Sequence, residues 1–147
     1  MRSGRNALLP ENTVVATSEL SAPADAAALE AAFAQLQREH DVLRMLVSWN
    51  GTCWVSRTAT EPALPFTVST VEGDDAAAFE RALEALGDEA FDPVERPLGR
   101  GVLLQQGSRA AVALVLHRAL TMPLSTEALL ERLLELYVRE HVAAPAR

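Results

Sequence analysis

The sequence contains no lysine. All 13 of its cations are arginines, set against 20 carboxylates, and the net charge is −7. An acidic balance of that size argues against nucleic acid and against anionic membrane surfaces, since both select basic faces. Arginine for every cation, in an alanine-rich chain, points to coding bias rather than to chemistry. Cysteine is nearly absent as well. Cys53 stands alone, which excludes an internal disulfide and a cysteine metal cluster and leaves an inert thiol as the simplest reading. No apolar run approaches the roughly 20 residues of a membrane span. The first ten residues lack the apolar core of a signal peptide, so a cytoplasmic protein is expected. No phosphate loop, nucleotide fingerprint, metal-ligand set or Ser-His-Asp constellation is visible, and no cofactor or metal is expected.

What is present is the composition of a globular protein, with 49% hydrophobic and 22% charged residues. A length of 147 residues suits a single domain, 1–147. Such a chain can bury roughly two thirds of the surface its unfolded form exposes. Residues 1–11 and 143–147 read as flexible ends.

Thr13 to Leu20 is rich in β-branched residues and reads as a first strand. Pro23 or Asp25 suits the first turn of a helix that runs to about His40, with Leu29, Ala32, Phe33 and Leu36 on one stripe. Leu43 to Trp49 predicts a second strand. Asn50-Gly51 then predicts a type I′ hairpin turn, with Thr52 to Arg57 returning. Phe66 to Val71 alternates as a half-exposed strand does. Gly73-Asp74-Asp75 caps a helix over about Ala76 to Leu86, with Phe79, Leu83 and Leu86 facing inward. Pro93 and Pro97 keep 87–99 irregular. Arg100 to Gln105 and Arg109 to His117 make two strands around a Gln106-Gly107-Ser108 turn. Ser125 opens a leucine-rich last helix that ends near Val142, its solvated face carrying Glu127, Glu131 and Glu135. The sum is an α/β (α+β) fold: a two-layer sandwich of about six strands, mostly antiparallel or mixed, with three helices.

Val112 to Ser125 organises the rest. It reads as a buried strand that carries His117 and Arg118 to its end, followed by a proline turn and a helix start. A polar pair at the end of a hydrophobic strand is a common way to build a site, because the strand holds the groups while the loop leaves them reachable. Two further segments accompany it: Glu39-His40-Asp41-Val42-Leu43-Arg44, and Phe91-Asp92-Pro93-Val94-Glu95-Arg96-Pro97-Leu98-Gly99-Arg100. Together, in this order, the three resemble the condensation domains of nonribosomal peptide synthetases. That family has Arg-His-Glu-x-Leu-Arg at a helix-to-strand junction, then Phe-Asp-Leu with Pro-Leu and Arg, then His-His-x-x-x-Asp-Gly-x-Ser ahead of a helix ending in tyrosine, as this one reaches Tyr137.

The resemblance implies a chloramphenicol-acetyltransferase-like half domain. It covers about 12–142, which corresponds to the N-terminal lobe only; a complete condensation domain is roughly three times as long and places its active site between two such lobes. It also implies a degenerate motif. Aligned on Ser125, His117 takes the position of the family's first, mostly structural histidine. Arg118 replaces the second histidine, which deprotonates or positions the acceptor amine. Met122 replaces the aspartate and Pro123 the glycine. A guanidinium has a pKa above about 12 and cannot act as a general base near neutrality, so no catalytic residue is expected.

The remaining candidates have plainer readings beside their functional ones. His117 suits a hydrogen-bonded structural residue better than a residual base. Arg118 suits a phosphate or carboxylate ligand or simple solvent exposure. His40 sits at a helix end where a partly charged imidazole is stabilising, and Arg44 is read as structural beside it. Asp92 with Arg96 or Arg100 reads as a loop-fixing salt bridge. Trp49 and Trp54 pair across the hairpin or, facing outward, serve as anchors for a protein contact.

Three functions follow from the resemblance. The first is a non-catalytic, truncated condensation-like domain that dimerises or docks onto a synthetase or polyketide-synthase module. The second is an acyltransferase rebuilt by dimerisation or a partner lobe around His117. The third is a carrier-protein recognition module. An apolar face left by a missing lobe is unfavourable in a soluble monomer, so a homodimer or a docked complex is expected.

Overall fold

The computed structural model describes residues 13–20, 24–88, 97–121 and 125–143. Its centre is a four-stranded sheet. The strands are β1 (Thr13–Leu20), β4 (Phe66–Thr70), β5 (Gly99–Gln106) and β6 (Arg109–His117), in the order β1-β6-β5-β4. β6 pairs antiparallel with β1 on one side, Thr13 opposite His117, and with β5 on the other, Gln106 opposite Arg109. β4 joins β5 in parallel. Gly107 turns the β5–β6 hairpin with φ of 58°, a conformation that glycine adopts without steric cost. From Ala110 to His117 every residue of β6 is buried. A continuous apolar run of that kind belongs to a strand covered on both faces.

Helices supply both covers. α1 (Ala26–Glu39) is capped by Asp25, whose carboxylate accepts from the Ala28 N–H at 3.1 Å. Its Leu29, Ala32, Phe33 and Leu36 are buried. Phe33 packs against Phe66 with ring centroids 6.0 Å apart. Gly101 lies beneath the pair: a Cβ there would fall 2.7 Å from the Phe66 ring, so the close approach requires glycine. α3 (Thr126–Ala143) lies beside α1, with Leu129, Leu130, Leu133 and Leu136 buried. Two contacts tie these helices together. The Asp25 N–H donates to the Tyr137 hydroxyl at 3.1 Å, and Arg132 grips Glu39 with two bonds of 2.9 and 2.8 Å.

α2 (Ala76–Ala85) covers the opposite face, which strand alternation gives to Leu104 and Ala111. Asp75 caps it, accepting from the Ala77 N–H at 2.9 Å. Phe79 packs on Leu104 and Ala111. The Arg109 guanidinium lies 4.2 Å over the Phe79 ring and bridges Glu19 of β1 to Glu80 of α2. Those bonds hold the Glu19 carboxyl below the ordinary carboxylate range.

The expected six strands and three helices are present, and the sheet is mixed because β4 runs parallel to β5. The strands are divided four and two: β2 (Met45–Trp49) and β3 (Trp54–Thr58) form a separate antiparallel pair. Alternation in a sequence marks a strand without naming its partner.

The turn between β2 and β3 differs from the type I′ expectation. It spans four residues, 50–53, and β3 starts at Trp54 rather than Thr52. Gly51 has φ of 98°, but no residue other than glycine has positive φ among those described. The cause is the Asn50 side chain, whose carbonyl accepts from the Thr52 and Cys53 N–H groups, both at 2.9 Å. This Asx turn satisfies the loop without a left-handed Asn50. Residues 41–44 form a 3₁₀ turn, so β2 begins at Met45 instead of Leu43.

Candidate functional site

The described parts of the three segments behind the family resemblance, 39–44, 97–100 and 112–121, meet at one end of the sheet. β6 ends at His117, and a 3₁₀ turn over Arg118–Thr121 follows directly. The His117 N–H donates to the Leu98 carbonyl at 2.7 Å, which brings the Pro97–Arg100 segment alongside. The 41–44 turn packs against the 118–121 turn, and Leu43 and Leu120 are both fully buried there. Thr121 closes its own turn by donating to the Arg118 carbonyl at 2.8 Å. Ser125 is the cap of α3, accepting from the Ala128 N–H at 3.0 Å, so its hydroxyl oxygen serves the helix.

Strand alternation puts His117 on the same face as Val115 and Ala113, and only 8% of it is exposed. Arg118, the next residue, is exposed. At the position that reaches solvent, the chain therefore presents a permanent cation with five donors and no acceptor. Such a group can hold an anion but cannot take a proton from an amine. Met122 and Pro123, the expected replacements for the family's aspartate and glycine, lie outside the described residues, as do Asp92 and Arg96 of the expected loop-fixing bridge.

The other candidates occupy different places. Arg44 donates to the Gln37 carbonyl at 3.0 Å and the Ala59 carbonyl at 2.7 Å, and pairs with Asp41. It thereby fastens the end of α1 to the end of β3. His40 is half-buried after the last turn of α1, and its carbonyl accepts from the Leu43 N–H at 3.0 Å. Arg100 donates to the Thr67 hydroxyl at 2.9 Å, across the parallel β4–β5 pair. Trp49 and Trp54 are paired across β2 and β3, in the separate two-stranded sheet.

Sequence reasoning missed Gln37. It sits inside α1 at 1% exposure, where the helical stripe of leucine and phenylalanine gave it no role. Its side-chain Oε1 accepts from the Ala63 and Leu64 N–H groups at 3.0 and 2.9 Å, and its Nε2 donates to the Leu64 carbonyl at 3.3 Å. Thr126 is a second surprise, since its buried hydroxyl has no hydrogen-bond partner among the described residues. Among the described residues no cluster of three or more His, Cys, Asp or Glu is placed to hold a metal ion, and no helix is long and apolar enough to cross a membrane.

No family model and no curated protein matches the sequence. Solved structures do match the fold. The starter condensation domain of rhizomide synthetase RzmA superposes with a TM-score of 0.75 at 19% identity, over 95% of this chain and 35% of its own. The tallysomycin biosynthesis protein TlmII gives 0.72 at 22% identity, over 95% and 33%. The condensation domain of Monacolin K polyketide synthase MokA gives 0.69 at 17% identity, over 94% and 31%. The chain has a condensation-domain-like fold and spans about a third of the length of these structures.

Proposed function

We propose that the protein is a non-catalytic, condensation-like fragment that serves as a dimerisation or docking element of a nonribosomal peptide or polyketide biosynthetic system. The observation that carries this reading is the pair at the end of β6. The exposed residue is Arg118, which cannot accept a proton, and the neighbouring imidazole of His117 is withdrawn into the core. A general base must come within hydrogen-bond reach of the proton it removes, and an almost fully buried side chain is poorly placed to meet a substrate.

The partner is a second copy of the chain or a synthetase or polyketide-synthase module. The test supplies an acyl thioester on a carrier protein together with an acceptor amine. The pure protein, and the protein mixed with a candidate partner lobe, should give no transfer above the uncatalysed rate. His117→Ala should change nothing in that assay. Transfer that disappears in His117→Ala would establish the acyltransferase role instead. Light scattering should give a mass above that of one chain, alone or with the partner module, and a strict monomer in both settings counts against docking.

A further inference from the structure

β4 ends the strand order of the four-stranded sheet, and among the described residues no strand lies on its outer side. The ladder to β5 fixes what that side presents. The Gly101 N–H donates to the Pro65 carbonyl at 2.9 Å, and the Val71 N–H to the Gln105 carbonyl at 2.7 Å. Along a strand the backbone groups turn alternately to one side and the other, so 65, 67, 69 and 71 face β5. Phe66, Val68 and Thr70 therefore each turn an N–H and a carbonyl outward. Pro65, which has no N–H to offer, belongs to the inner set and does not blunt the edge. Residues 68–70 are exposed, Val68 at 51%, so no described element overhangs them.

Proteins ordinarily guard such an edge with charge, proline or a bulge. The opposite edge, β1, carries Glu19 in its pair with Arg109. β4 reads Phe-Thr-Val-Ser-Thr, without a charge, a glycine or a proline. The row of outward groups fits an extended strand, and β4 is complementary to itself. Set antiparallel, Val68 meets the partner's Val68 and Phe66 meets the partner's Thr70, and each pair can exchange both backbone bonds. The next outward pair would join Glu72 to the partner's Leu64, whose N–H and carbonyl Gln37 already holds, so the pairing stops there. Glu72 is the carboxylate nearest to β4 along the chain. Its two copies would lie at opposite ends of the ribbon, roughly 26 Å apart at 3.3 Å per residue, well beyond a Debye length of about 8 Å. A chain of net charge −7 can meet itself along β4 without opposing carboxylates inside the ribbon.

We propose that a second copy of the chain covers this edge, β4 pairing antiparallel with the partner's β4 about a two-fold axis at Val68, so that two four-stranded sheets become one. This rests on the dimerisation reading and assigns it a surface and a register.

The test begins with light scattering, where the wild-type chain should show the mass of two chains. Hydrogen exchange then reads the register. In the dimer the outward amides of Phe66, Val68 and Thr70 should be protected along with those of Thr67, Ser69 and Val71. On dilution to the single chain only the outward three should speed up, by about tenfold or more. Val68→Lys and Val68→Glu each set like charges opposite one another on the axis. Each should weaken dimerisation by at least about tenfold, and an equimolar mixture of the two should restore it, because Val68 meets its own counterpart. A dimer whose outward amides exchange freely, or one that both variants form undiminished, overturns the pairing and leaves docking through another surface standing. A single-chain mass up to about 1 mM overturns it as well. So does protection of the outward amides only when a synthetase module is added, because the occupant is then that module. Failure of the non-catalytic reading shows elsewhere, in acyl transfer that His117→Ala abolishes, and leaves these readouts unmoved.

Discussion

Gln37 holds one of the longest connections in the chain to the helix that covers the sheet. The 59–65 segment has no hydrogen-bonded ladder of its own, and buried backbone groups need partners. One amide side chain satisfies two N–H groups and one carbonyl of Ala63 and Leu64. A group left unpaired in the interior costs about 1–3 kcal/mol, and some of the exposed backbone would be rehydrated after the loss. Gln37→Ala is therefore expected to lower stability by about 2–4 kcal/mol, read as a lower urea midpoint at unchanged slope. Gln35→Ala, on the exposed side of the same helix, should stay within about 0.5 kcal/mol. A Gln37 variant as stable as the Gln35 one would mean that water replaces these bonds at no cost. Nothing in the local sequence signals this role, because a glutamine in a helix ordinarily faces solvent and its partners here lie 26 and 27 residues away.

At the scale of elements, β1 and the inner stripes of α1 and α3 are legible because each depends on local pattern: β-branched runs, helical spacing, and Asp or Ser at the cap. The candidate site is legible in part, since its three segments carry family-like residues. Their convergence depends on the β6 register and on the Leu98 carbonyl reaching His117, which no local signal encodes. The separate β2–β3 pair and the four-residue loop are hidden for a related reason. Alternation omits the partner, and the Asn50 side chain competes with the backbone for the turn.

The Arg132–Glu39 bridge between α1 and α3 is equally non-local, with 93 residues between its ends. The hydrogen bonds from Arg132 hold the Glu39 carboxyl below its ordinary value of 4.5. A depressed carboxylate stabilises the fold above its unfolded pKa, and that stability is lost as pH falls through the folded pKa. Side-chain exposures of 31% and 25% put the pair near the surface, where even a two-bond geometry is worth about 0.5–1 kcal/mol. Arg132→Met, which keeps the stem of the side chain, should lose about that much at pH 7. The difference from wild type should shrink towards zero as the pH is lowered from about 4.5. Thermal melts of both proteins across that range decide it, and a difference that persists in acid would mean that the stem packing of Arg132 matters and the charge does not.

For the molecule as a whole, the question is whether a fold that spans a third of its structural relatives is one cooperative unit. β6 is hydrogen-bonded on both edges and buried on both faces, and β5 is covered nearly as well. These strands lie between the α1–α3 layer and α2, so their amides should open only when everything unfolds. Among the described residues β2 and β3 pair only with each other, and residues 55–58 are exposed, Val55 at 42%. An isolated two-stranded hairpin is marginal in water. Among the described residues, the Arg44 clamp and the Ala59 N–H, which donates to the Arg44 carbonyl at 2.8 Å, tie it to the rest of the fold. The hairpin should therefore open alone. Hydrogen exchange should give the slowest amides at Val112–Leu116 and Val102–Leu104, with rates that track global stability in urea. The amides that bond β2 to β3 should exchange at least about tenfold faster and depend weakly on urea. Arg44→Ala should speed the hairpin further and leave β6 unchanged relative to the global transition. If the hairpin and β6 exchange at one rate, the two sheets form a single unit and the hairpin contributes to the stability of the core. If β6 exchanges well below the global limit, the central sheet opens locally and does not unfold as one cooperative unit with the rest.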